Sequence, residues 1–88
     1  MQKPSVGRIV IVPVTALSPT EKLDNNGAEV APAVITRVWS DDLVNVRVLL
    51  DGGAMPWKTS VALFQTPEEY AEARDAGKAF GCYWPPRV

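Results

Sequence analysis

The chain has 88 residues, 47% of them hydrophobic and 22% charged, with nine Lys plus Arg against ten Asp plus Glu, a formal net charge of −1 and no histidine. That length gives one small domain with a small core, and the apolar fraction is too high for disorder. The near-neutral balance excludes a generally basic nucleic-acid binder, and the missing histidine removes the usual general base and the commonest transition-metal ligand.

Residues 6–14 are almost all Val and Ile and predict a first strand, with Pro13, which has no N–H, marking a sheet edge or the point where pairing stops. Residues 15–31 read as a long loop carrying two turn-forming clusters, Ser18-Pro19-Thr20 and Asp24-Asn25-Asn26-Gly27. The second cluster is a turn and not a calcium loop, because Ala28 stands where the next oxygen ligand belongs.

Residues 33–39 and 43–50, separated by Ser40-Asp41-Asp42, predict a hairpin. Its expected register sets Val34 opposite Val48, Thr36 opposite Val46 and Val38 opposite Val44. Period-two alternation then turns Ile35, Arg37, Trp39, Leu43, Asn45, Arg47 and Leu49 to the other face. Asp51-Gly52-Gly53 closes that strand with a turn, and residues 59–64 form a short fourth strand.

Thr66-Pro67-Glu68-Glu69 has the pattern of a helix start, with a capping threonine, proline at the first helical position, Glu69 completing a capping box and acidic residues at the positive end of the dipole. Gly77 ends that helix. Its apolar stripe is only Tyr70, Ala73 and Ala76, helped by Ala71, so it is expected to dock as a satellite. The run Phe80-Gly81-Cys82-Tyr83-Trp84 gives a last short strand, stopped by Pro85-Pro86. The expected architecture is mainly β: a single domain over residues 1–88, an SH3-like barrel of about five antiparallel strands with one short helix near the C-terminus. An OB-like barrel is the alternative.

Cys82 is the one cysteine, so no internal disulfide forms and a reducing cytoplasm is the simplest compartment. No signal-peptide pattern opens the chain, and no run approaches the roughly 20 apolar residues of a spanning helix, so no membrane association is expected. Without histidine there is no Cys–His pair and no Ser–His–Asp triad. Lys58-Thr59-Ser60 reads as structural because strand neighbours face opposite ways, and Asp41-Asp42 as a turn. Neither a zinc-ligand set nor a phosphate-binding glycine loop is present, so no catalytic residue, metal or cofactor is assigned.

Binding is a different matter. The outer hairpin face combines Arg37, Trp39, Asn45 and Arg47 with Ile35 and Leu49, more apolar than a solvated sheet face usually is. Arg and Trp are also enriched in interface hot spots. That face is either open or covered by the 15–31 loop, the helix or the tail. Trp57 beside Lys58, expected in a loop, either stacks on a partner or plugs the barrel end. Trp84 beside the prolines reads either as a packing anchor for the tail or, with Arg37, Trp39, Asn45, Arg47, Trp57 and Lys58, as a binding candidate, and Pro85-Pro86-Arg87 could be an extended segment that a partner holds.

Several segments, in their order along the chain, resemble a family of small tailed-phage and prophage proteins. They are Pro4-Ser5-Val6-Gly7-Arg8-Ile9-Val10, Pro32-Ala33-Val34-Ile35-Thr36-Arg37-Val38-Trp39, Val44-Asn45 with Asp51-Gly52, Trp57-Lys58-Thr59-Ser60-Val61 and Tyr83-Trp84-Pro85-Pro86. The similarity covers most of the chain outside residues 15–31 and 64–81. Members of that family carry histidine after the first strand and between the terminal aromatics, where this chain has Ile11-Val12-Pro13 and Cys82-Tyr83-Trp84. Any role of those histidines therefore does not carry over. The resemblance implies a phage origin and a non-enzymatic accessory role, either as a virion decoration or connector-associated subunit or as a binder of a host factor.

A protein partner or self-association is thus the leading expectation. Nucleic acid is a disfavoured alternative: the first 65 residues hold six basic and six acidic side chains, and two arginines on one face give little phosphate affinity. Capture of a small anionic ligand or nucleotide by an oligomer, between Trp39 or Trp57 and the arginines, is a third.

Overall fold

The computed structural model describes residues 2–77 and 81–86. Five strands close into one barrel in the order β1 (Ile9–Pro13), β2 (Val30–Ser40), β3 (Leu43–Val48), β4 (Trp57–Phe64) and β5 (Gly81–Tyr83). From β1 to β4 each strand runs antiparallel to the one before it. Expectation and structure differ at the fifth: β5 lies parallel to β4 and closes on β1 through the pair Ile11–Tyr83. The cause is the helix between them, α2 (Pro67–Asp75), which carries the chain back so that it re-enters the sheet in the direction it left.

The core is built from small β-branched residues, as a narrow barrel requires. Val10, Ala31, Ala33, Ile35, Val44, Val46, Val48 and Cys82 are fully buried, with Val61, Leu63 and Trp84 nearly so. Burial pushes the Cys82 thiol up to about 12, so it remains a neutral core atom.

The inner face of β3 is as expected, and Val38 pairs with Val44. The inner face of β2 is corrected by one residue. Ala33 pairs with Val48 and Ile35 with Val46, so Ile35 points inward while Val34 turns out to face Arg47 across the strands. A bulge at Thr36 then adds an unpaired residue and restores the phase at Val38. A second extra residue, Trp39, precedes Ser40. Strict alternation cannot serve both ends of this strand, because Ile35 and Val38 are an odd number of residues apart.

The expected 15–31 loop is largely ordered. A 3-10 turn (Val14–Ala16) leads to a short helix, α1 (Pro19–Asp24), which opens on a complete capping box between Ser18 and Glu21. Asn25 and Asn26 end α1, the latter with φ 53°, and β2 begins at Val30. α1 is held to the turn after β3: Asp24 accepts from the backbone N–H groups of Gly52 and Ala54, and Asn25 Oδ1 accepts from Asp51 N. Gly52 is required there, since a Cβ would overlap the Asp24 carboxylate and carbonyl oxygens.

α2 opens on the expected threonine cap, with Thr66 Oγ1 accepting from Glu69 N, but the expected capping box is not completed, because the Glu69 carboxylate accepts from Gln65 N and not from Thr66 N. It docks through Tyr70, which packs edge-on against Phe64 and beside Tyr83, and whose hydroxyl bonds Thr15 Oγ1. Phe80 and Arg87, which entered the expected last strand and tail, lie outside the described residues. Among the described residues no helix is long and apolar enough to cross a membrane.

Candidate functional site

The outer face of β2, β3 and β4 is organised in rows set by the register. One row runs Ile9–Val34–Arg47–Trp57 across four strands. Ile9 and Trp57 are 42% and 52% exposed, so this row presents apolar surface around a single guanidinium. Arg47 donates to the Met55 carbonyl oxygen at 3.0 Å, which fixes it over the strand entrance. Trp57 is the first residue of β4 and does not plug the barrel, contrary to one of its two expected fates, because pairing with Arg47 sets it on the outer side.

The next row is Arg37–Asn45, opposite a bulge in β4. Thr59 and Ser60 together face Asn45, and Ser60 takes φ 55°, so the Ser60 N–H leaves the ladder. The Asn45 side chain replaces the lost acceptor. Its Oδ1 accepts from Ser60 N at 2.8 Å, Thr59 Oγ1 at 3.0 Å and Trp39 Nε1 at 2.8 Å. Asn45 is thereby 5% exposed on a strand face that points away from the core.

Trp39, projected by its bulge, lies 50% exposed over this row, and the Arg37 guanidinium stacks on its ring at 4.1 Å from the centroid. Among the described residues neither the loop, the helix nor the tail covers Trp39 or Arg37, and both are exposed. Of the expected binding residues, Arg37, Trp39, Arg47 and Trp57 therefore meet on one surface, with Asn45 as the buried pin beneath them.

Two expected binding residues are corrected. Lys58 lies on the Val46 side of the sheet, and its ammonium makes a 2.7 Å pair with Glu21 of α1. Burial of Glu21 raises its pKa, but the Lys58 hydrogen bond and charge and the Ser18 amide outweigh this and hold it below the ordinary 4.5. Trp84 is 1% exposed and belongs to the core, the anchoring alternative of its two readings. Arg8 lies over its ring at 5.0 Å.

Sequence reasoning passed over Ile9 and Met55 as surface contributors. Ile9 could have been found from its place in the first strand once Val10 and Val12 were set inward. Met55, 54% exposed, carries no such signal. It also passed over an acidic groove of about 290 Å3 at the hairpin tip, where Asp41, Asp42 and Glu69 surround Ala62 and Phe64. Among the described residues no group of three or more Cys, Asp and Glu side chains is placed to hold a metal. Compared with known proteins, the chain matches no family model, no curated protein and no solved structure.

Proposed function

We propose that the protein is a non-enzymatic protein-interaction module that binds through the outer face of β2, β3 and β4. The observation that carries this is the pair of half-exposed tryptophans, Trp39 and Trp57, set beside Arg37 and Arg47, neither of which has a carboxylate partner among the described residues. Trp39 is also preorganised: its Nε1–H is bonded to Asn45 and its ring is stacked under Arg37, so docking orders little that is not already ordered. The same stacking disfavours nucleic acid, because one ring face that a base would use is taken by Arg37, and two arginines give few phosphate contacts. The resemblance to small phage proteins supports the cytoplasm of a bacterial host as the setting, and a virion component or a host protein as the partner.

The test is a capture experiment with wild type and Arg37→Glu/Arg47→Glu in parallel, after checking that the two melt alike. Both positions are exposed, so melting is expected to change by about 0.5 kcal/mol or less. A partner held by wild type and lost by the variant supports the reading. Equal capture by both proteins, or retention of single-stranded DNA in place of protein at low salt, overturns it.

A further inference from the structure

The interaction face does not end at its arginines. Beyond the Arg37–Asn45 row, the outward side continues through the Leu43–Ala62 pair to Phe64, and there it meets the groove walled by Asp41, Asp42 and Glu69. One continuous surface is therefore basic at one end, with Arg37 and Arg47, and acidic at the other, with Trp39 between them. None of these five charges has an ion-pair partner among the described residues, whose ion pairs are Lys58–Glu21 and Arg74–Asp75. Arg37 and Asp41 are four residues apart along the hairpin, about 13 Å at strand rise, too far for the two ends to neutralise each other within one chain.

A surface with opposite charges at its two ends is complementary to itself when turned by half a revolution. From this juxtaposition we propose that the outer face of β2–β4 is a two-fold interface that pairs two copies of this chain, Arg37 and Arg47 of each lying against Asp41, Asp42 and Glu69 of the other, with the two Trp39 side chains near the axis. The proposal rests on reading this face as an interaction surface and names its occupant. The arrangement is isologous, so each charge contact occurs twice, and the pair closes without leaving a free end. The Ala62 and Phe64 floor of the groove gives the aliphatic stems of the arginines apolar surface to lie on. A standard interface takes about 800 Å2 from each partner, roughly 15% of the 5232 Å2 of accessible surface, which a face spanning three strands of this barrel can supply.

Sedimentation velocity of the purified chain from micromolar to millimolar concentration tests this. Wild type is expected to shift from the monomer to the dimer mass, and to shift back as salt is raised, because the contacts are charge pairs. Arg37→Glu/Arg47→Glu and Asp41→Lys/Asp42→Lys should each weaken association by about tenfold or more. An equimolar mixture of the two variants should recover it, since each then presents the charges the other lacks, and that recovery also shows both to be folded. A wild type that stays monomeric, reversals that leave the dimer intact, or a mixture that fails to associate each overturns the pairing. A monomeric wild type that still captures a protein through Arg37 and Arg47 removes this inference alone and leaves the interaction module standing.

Discussion

Asn45 does the work of a backbone group. The β4 bulge leaves the Ser60 N–H without a strand carbonyl, and at this part-buried position a hydrogen bond contributes about 0.5–1.5 kcal/mol net. The Asn45 carbonyl oxygen receives it, and in the same place receives the indole N–H that aims Trp39. Asn45→Ala therefore removes the acceptor of both donors and is expected to lower stability by about 1–3 kcal/mol in urea denaturation. Asn45→Asp keeps the acceptor and is expected to cost less. Tryptophan fluorescence reports on the second consequence: in Asn45→Ala the Trp39 ring loses its anchor and its emission should move toward that of a free indole in water, while a purely global loss of stability would leave the native-state spectrum unchanged.

At the scale of elements, β2 is decided by its bulges. The valines at 34 and 38 invite a single alternating face, yet the barrel takes Ile35 and Val38 inside and loops out Thr36 between them. Burying the larger Ile35 favours this register, and the extra twist that a bulge adds suits a sheet that must close within five strands. Ile35→Ala is expected to cost about 2–5 kcal/mol, whereas Val34→Ala should cost under about 1 kcal/mol; the opposite order in chemical denaturation would restore the unbulged register. The helices make a related point. Ser18-Pro19-Thr20-Glu21 and Thr66-Pro67-Glu68-Glu69 share one start pattern, but only the second is followed by apolar residues at helical spacing. α1 buries none of its six residues and is instead held by polar contacts to a turn 26 to 30 positions away, which no local pattern displays. The β4–β5 pairing hid for the same reason: α2 was legible, but the direction in which it returned the chain was a matter of where Tyr70 found Phe64 and Tyr83.

The whole molecule is stitched by contacts between distant segments, and among the described residues the Glu21–Lys58 pair is the charged one. Glu21 has its pKa lowered on folding, so the folded state binds that proton more weakly than the unfolded chain does. The pair then contributes fully above 4.5 and its contribution is lost as pH falls through the lower folded value. No histidine titrates between that range and neutrality. Melting temperature should hold across neutral pH and fall in acid, and Lys58→Met should lower it at neutral pH by an amount equivalent to about 1 kcal/mol or less while flattening the acid limb. An acid limb of the same steepness in Lys58→Met would assign the acid sensitivity elsewhere.

By itself the sequence determined the class of fold, since Val- and Ile-rich runs of strand length, broken by glycine and proline turns, have few ways to bury their surface other than a small barrel. It also determined the inner face of β3, the start of α2, and the Arg and Trp residues of the proposed binding face, because each follows from local periodicity or residue type. Tertiary structure alone decided the phase of β2, the parallel return of β5, the withdrawal of Lys58 into an ion pair and of Trp84 into the core, and the meeting of basic and acidic ends on one surface. Those depend on which distant segment arrives to supply an acceptor, a counter-charge or a cover, and a bulge of one residue is enough to change the answer.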